Sequence, residues 1–284
     1  MKRFKRRSKL MGCSFELGVV MEDELEANAT LDEGVREIQR IEALLSEFQE
    51  NSTISKINRH SGGDPIKVES EVLMLLERSK KISHLSKGYF DITMGPLKQL
   101  YQFKNREFKF PGKRTIAKSL KKIGYHFLHL DMENRTAQLR QKDMRISLAA
   151  IGKGYAADVV CKKWRQQNLY GGYIDASGDL TAFGKDENGG AWKIGISNPD
   201  ERNQSLFYVP LHNAAVATSG DYEQYFMHKG VRYSHNINPK TGWPVNGVKS
   251  VSIFSPSAEL SDALATAVYA MGVEKGISFL NQLP

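Results

Sequence analysis

The chain has 284 residues, 40% of them apolar and 25% charged, an ordinary balance for a globular protein. Its formal net charge of +8 points to nucleic acid, a membrane surface or an anionic ligand. Much of that excess sits in Lys2, Arg3, Lys5, Arg6, Arg7 and Lys9, and the remainder is only slightly basic, so nucleic acid is not an expected partner. No apolar run approaches the roughly 18 residues of a transmembrane segment.

Residues 1–10 read as a solvated basic tail. Leu10-Met11-Gly12-Cys13 has the look of a lipoprotein cleavage site, but a signal needs about 7–15 apolar residues ahead of it and none stand there. Residues 11–21 (M-G-C-S-F-E-L-G-V-V-M) read as a first strand. A helix over about 31–47 follows from Val35, Ile38, Ile41, Leu44 and Leu45. Residues 51–63 are a polar loop with some helical character, and a second amphipathic helix over 69–85 stops at Gly88. Residues 89–101 start as a loop and recover structure after Gly95-Pro96. A short basic helix over 115–123 leads to a strand at 126–130.

The second half alternates short strands with glycine turns. A strand at 145–148 precedes a helix from 151 to 167; further strands are expected at 173–174, 180–183, 192–196, 207–211, 216–218, 231–234 and 248–254. Two helices close the chain, one capped by Ser257 and stopped by Gly272, the other over 273–280. Cys13 and Cys161 are far apart and form no metal-ligand spacing, so both read as free thiols. With no repeat and no Pro/Ser-rich linker, the expectation is a single mixed α+β domain over 11–284, largely antiparallel sheet flanked by helices.

Polar clusters punctuate this frame. G-K-G-Y, from Gly152 to Tyr155, opens a helix where backbone N–H groups and Lys153 would favour phosphate, though a tight turn with a solvated lysine explains it equally. D-A-S-G-D (175–179) and A-T-S-G-D-Y (217–222) are explained by turn chemistry or by a ligand. His235 ends a strand before a Pro-Lys-Thr-Gly turn and is the best-placed general acid or base of the chain's 7 histidines. Near the C-terminus, Asp262 and Thr266 stand four apart on an otherwise apolar helix, so they share a face. Either Asp262 complements the helix dipole, or the pair supplies oxygen ligands to a hard cation such as Mg²⁺.

The order of these motifs resembles the ApbE-type FAD:protein FMN transferases. The matching stretches are F-x-x-N-S-x-I-S-K-I-N (48–58), G-Y-F-D-I-T-M-G-P-L (88–97), I-G-K-G-Y-A-A-D (151–158), T-S-G-D-Y (218–222), H-x-I-x-P-x-T-G (235–242) and D-A-L-A-T (262–266). The resemblance begins at Met11-Gly12 and covers nearly the whole chain. It implies an α+β, T-fold-related architecture and Mg²⁺-dependent transfer of FMN from FAD to a threonine hydroxyl of an acceptor protein, with release of AMP. It implies Mg²⁺ ligands at Asp262, Thr266 and the Ala150 carbonyl, and proton transfer at His235. Thr218, Asp221 and Lys153 would line the FAD site, with Met11, Asn58, Tyr89 and Asp91 as further flavin and adenosine contacts. The expected partners are FAD and an acceptor such as a flavin-bearing redox subunit.

The chain departs from the family pattern in places. S-L-A-A-I-G-K-G (147–154) stands where the family usually has D-L-G-G-I-A-K-G, so Ser147 removes an acid and Ala149-Ala150 add methyls beside the expected ligand. Asn238 replaces an aspartate and Ser177 a glycine. Two other functions fit the same residues: Mg²⁺-dependent hydrolysis of FAD to FMN and AMP, and FAD binding without turnover. The family is mostly exported or membrane-anchored in bacteria, whereas this chain as written shows no export signal, which leaves the compartment open and includes the cytoplasm.

Overall fold

The computed structural model describes residues 1–101, 110–201, 204–221, 225–228 and 230–283; Tyr222 of the T-S-G-D-Y motif lies outside the described residues. The first half runs β1 (Lys2–Leu10), β2 (Cys13–Met21), α1 (Glu24–Leu45), α2 (Thr53–Arg59), β3 (Ile66–Lys67), α3 (Ser70–Leu85), α4 (Gly95–Lys98), α5 (Lys113–Leu120), β4 (Leu128–Asp131) and β5 (Thr136–Leu139). Then come α6 (Gly152–Gln166), β6 (Gly171–Ala176), β7 (Leu180–Gly184), β8 (Trp192–Ser197), β9 (Ser205–Leu211), β10 (Ala214–Gly220), β11 (Tyr225–His228) and β12 (Val231–Ser234). β13 (Ser250–Ser255), α7 (Ala258–Met271) and α8 (Val273–Leu280) complete the chain. The expected α+β class with antiparallel sheets and flanking helices is what forms. No helix among the described residues is long and apolar enough to cross a membrane.

The chain makes two compact units from interleaved segments. The first comprises Met1–Glu42, Ile151–Thr218 and Ser252–Ala265, and the second Ala43–Ala150, Ser219–Val251 and Thr266–Pro284. The first unit centres on a six-stranded sheet ordered β1-β2-β6-β7-β10-β13. α6 packs on β6 and β7, burying Tyr155, Ala156, Ala157, Val160, Cys161 and Trp164. α1 joins it at Gly34, where an added Cβ would lie 2.9 Å from both Leu17 and Trp164, so glycine sets how closely that helix approaches. Another cluster, with Val20, Leu180, Ala182 and Val216, packs Tyr173 edge-on against Trp192 of the β8–β9 hairpin, ring centroids 5.0 Å apart.

Residues 1–10 are not a tail. They form β1 and pair along their whole length with β2, from Lys2↔Met21 to Leu10↔Cys13. Composition hid the strand because long cations alternate where apolar residues would signal it, and most of them are answered by acids: Arg3 by Glu187, Arg6 by Asp32, and both Lys5 and Arg7 by Glu16. A basic strand at a sheet edge also discourages edge-to-edge association. α1 likewise begins earlier than periodicity indicates, because the Asp23 carboxylate accepts from the Glu26 N–H at 2.8 Å. The D-x-x-E of Asp23–Glu26 is the capping signal that an apolar count overlooks.

The second unit holds the three-stranded antiparallel sheet β3-β5-β4, the β11–β12 hairpin and helices α2 to α5 and α8. Ile54, Ile57, Val72, Leu73, Leu75 and Leu76 of α2 and α3 are buried. The strand expected at 145–148 is absent; only an isolated bridge, Met94↔Arg145, forms there. A side chain takes the place of a partner strand: Asn58 accepts from the Ile146 N–H at 2.6 Å and donates to the Ile146 carbonyl at 2.9 Å. The short β3, β5 and β11 were not anticipated.

Candidate active site

In the first unit, α6 opens at the G-K-G turn, and Lys153 on its first turn reaches Asp179 at 2.6 Å. Asp179 is 3% exposed and closes the β6–β7 hairpin, where Ser177 and Gly178 both have positive φ, 58° and 98°. That pair of left-handed residues makes a primed two-residue turn, matched to the twist of the strands it joins. Ser177 holds the strained place by donating to the Ser14 carbonyl at 2.9 Å, and Asp175 accepts from the Gly178 N–H at 2.9 Å. D-A-S-G-D is therefore a turn that also delivers a buried carboxylate to the lysine.

Burial pulls the Lys153 pKa down, but Asp179 and then Asp262 outweigh it and hold the group above the ordinary lysine range. Burial pushes Asp179 up, Lys153 draws it back, and the Thr218 backbone N–H adds a hydrogen bond. The direction governing the site is that of the lysine, an ammonium paired with Asp179 and in the field of Asp262. The Thr218 hydroxyl meets Ser252 at 2.8 Å. Met11 turns the chain between β1 and β2 with φ 49°, beside Gly12 at 79°, and its N–H donates to Glu42 at 2.9 Å. The first unit thus gathers Lys153, Asp179, Thr218 and Asp262 around charge, with Lys153 already matched to an acid.

Asp262, 6% exposed, lies one turn into α7, and Thr266, half-buried, follows one turn later on the same helix face. Ser257 caps this helix as expected, accepting from the Leu260 N–H at 3.2 Å. No group of three or more His, Cys, Asp or Glu side chains among the described residues is arranged to hold a metal. The donor types expected here, one carboxylate, one hydroxyl and one carbonyl, are all hard oxygens. They fit Mg²⁺, an ion that keeps waters and takes phosphate oxygens beside one or two carboxylates.

In the second unit Asn58 stands on α2, and Tyr89, Asp91, Asp221 and His235 stand in loops. Asp91 accepts from the Thr93 N–H and hydroxyl at 2.8 and 2.7 Å and from the Tyr125 N–H at 2.9 Å. Burial raises its pKa, opposed by those donors. Asn58 gives its amide to Ile146. The Tyr89 hydroxyl accepts from Lys275 at 2.9 Å, and the Lys240 ammonium lies 5.8 Å from the ring centre. Asp221 pairs with Arg232 at 3.4 Å. His235, half-buried, follows β12 directly, in a stretch anchored by Ser234 N–H to Val245 O at 3.1 Å and Val245 N–H to Asn236 O at 2.8 Å.

Two departures from the family pattern acquire partners. Asn238 accepts from the Lys240 N–H at 2.8 Å and donates to the Ala270 carbonyl at 3.0 Å, a donation that aspartate could not make. Ser147 accepts from the Lys98 ammonium at 3.1 Å and donates to Glu47, so a carboxylate from elsewhere in the chain meets the position that lost one. Glu47 is not marked by the sequence, Asp179 is marked only as an acid of the D-A-S-G-D cluster, and Asp158 only as the end of the I-G-K-G-Y-A-A-D motif. Asp158 has a local signal, standing four residues after Gly154 on one helix face; the other two depend on tertiary pairing.

The sequence model of the ApbE family matches residues 11–284. An FAD:protein FMN transferase of Vibrio cholerae is 29% identical, the match spanning 96% of this chain and 84% of that protein. One of Treponema pallidum is 31% identical over 91% of this chain and 76% of its own length. Among solved structures, the ApbE protein of Thermotoga maritima superposes with a TM-score of 0.91 at 30% identity, covering 99% of this chain and 90% of that one. The flavin transferase ApbE of Vibrio cholerae gives 0.88 at 26% identity, covering 100% and 92%. The motif resemblance and the fold lead to one place: the chain belongs to the ApbE family.

Proposed function

We propose that this chain is a Mg²⁺-dependent FAD:protein FMN transferase that esterifies a threonine hydroxyl of an acceptor protein with FMN and releases AMP. The observation that carries the reading is the ion pair of half-buried Lys153 with buried Asp179, with Asp262 in its field, on a chain whose relatives bear that enzyme name. In the reaction, the acceptor oxygen forms a bond to the FMN phosphorus while the bond from that phosphorus to the bridging oxygen breaks. The bridging oxygen leaves with AMP, and the hydroxyl proton passes to a base, for which His235 is the candidate.

Asp262, Thr266 and the Ala150 carbonyl are the groups that would hold Mg²⁺. The bound ion would offset pyrophosphate charge and favour in-line displacement. Lys153 fixes Asp179 and adds positive potential near Asp262. Met11, Thr218, Asp221, Tyr89, Asn58 and Asp91 are assigned to the FAD site, the last two by shaping its loops through their backbone hydrogen bonds.

The test follows AMP and acceptor-bound flavin together, with FAD, Mg²⁺ and an unflavinylated redox subunit as acceptor. Equal amounts of both products, with AMP depending on the acceptor, support transfer. AMP formed at the same rate without acceptor would replace transfer by hydrolysis, and bound FAD with no AMP would leave a binding protein.

A further inference from the structure

We infer that Asp158 is a positioning residue for Asp262: it locks the start of α7 to α6 and so fixes where the Asp262 carboxylate is presented. The inference rests on the flavin-transfer reading above. Gly154 and Asp158 stand four apart on α6 and face the same way. At Gly154 the approach is close: an added Cβ would lie 2.3 Å from the Ala258 carbonyl oxygen and 2.7 Å from the Glu259 nitrogen. Any side chain there would have to push the beginning of α7 away.

Asp158 exploits that closeness. Its carboxylate accepts from the Ser257 hydroxyl at 2.9 Å, the Ala258 N–H at 2.9 Å and the Glu259 N–H at 2.8 Å. The Ser257 hydroxyl in turn accepts from the Leu260 N–H at 3.2 Å. The first N–H groups of a helix usually find partners in its own N-cap or in water. Here a carboxylate from another helix takes two of them, so α7 cannot slide or rotate without breaking charge-assisted hydrogen bonds. Asp262 follows one turn later, and Lys153 precedes Gly154 by one residue. Lys153 and Asp262, the latter acting on the lysine after Asp179, thus sit beside the two ends of one clamp.

A cap that merely stabilised α7 would affect melting alone, whereas a positioning residue also changes metal response. Partners that orient a metal-binding group typically matter about 10–100-fold in affinity or activity. Asp158→Asn keeps the shape but replaces one acceptor with a donor. The expected result is a rise of at least about tenfold in the Mg²⁺ concentration for half-maximal FMN transfer. The Mg²⁺-induced rise in melting temperature of the FAD-bound protein should move to higher Mg²⁺ with it. Trp164→Phe, further along α6, provides the control for lost packing and should leave both Mg²⁺ midpoints unchanged.

If Asp158→Asn does not fold, Ser257→Ala removes the hydroxyl that links Asp158 to Leu260, and should shift the midpoints the same way by less. Midpoints equal to wild type in a folded Asp158→Asn or Ser257→Ala protein would overturn the inference. A wild-type chain that neither transfers FMN nor responds to Mg²⁺ would overturn the underlying reading instead, and the two failures are told apart by that control.

Discussion

Asp91 and Asp179 are both almost fully buried, yet the two units use them differently. Asp91 is surrounded by neutral donors from its own neighbourhood, the Thr93 N–H and hydroxyl and the Tyr125 N–H, and the result is a fixed loop. Asp179 faces the Lys153 ammonium at 2.6 Å, with a second carboxylate, Asp262, acting on the same lysine. Burial alone therefore does not distinguish structural from chemical acids. The kind of partner differs: neutral donors satisfy Asp91 locally, whereas Asp179 meets an ammonium on which a second acid also acts, the arrangement on which the proposed function draws.

The largest test of that contrast is Asp262→Ala. Loss of the carboxylate should remove several kcal/mol of transition-state stabilisation, a fall of at least about 10²-fold in transfer rate, while the melting temperature changes little. Full activity with the wild-type Mg²⁺ midpoint would take Asp262 out of the metal set. Next comes Lys153→Met, which strands Asp179 in the interior and should cost about 3–5 kcal/mol in chemical denaturation.

The pH dependence of the lysine has a definite sign. Its pKa is raised in the folded chain, so its stabilisation is complete below the unfolded value of about 10.4 and is lost as pH rises through the folded value. The stability difference between wild type and Lys153→Met should then stay level across neutral pH as far as the lysine is concerned, and shrink only in strong alkali. A difference that vanished by pH 8 would mean the lysine is not held as described.

On the structural side of the comparison, Thr93→Val leaves the Gly124 N–H, now 2.8 Å from the Thr93 hydroxyl, without that acceptor. It should cost about 1–3 kcal/mol, with transfer per folded molecule retained. The smallest effect belongs to Asn238→Asp, which exchanges the donation to Ala270 for a negative charge near the end of α7. A loss of about 0.5–1.5 kcal/mol is expected, measured by thermal melting at neutral pH and reduced when the new acid is protonated.

Helix α7 was legible because its apolar spacing, the Ser257 cap and the Gly272 stop agree with one another, and α3 because its amphipathic spacing ends near Gly88. β1 was not, since its alternation is of cations whose partners, such as Glu187, lie far along the chain. The stretch 145–148 has strand-like composition, but Asn58 answers its backbone with a side chain, which no local pattern announces. At the candidate site, motif order identified the family and named Lys153 and Asp262. Spacing could not say that Lys153 meets Asp179, because that pair joins a helix start to a hairpin turn.

The central claim is most directly tested by the intact mass of the acceptor after incubation with this chain and FAD, with Mg²⁺ and with chelator. A mass gain of one phosphoester-linked FMN is expected with Mg²⁺ and none with chelator. An unchanged acceptor mass while AMP accumulates, or the same gain in chelator, would contradict it.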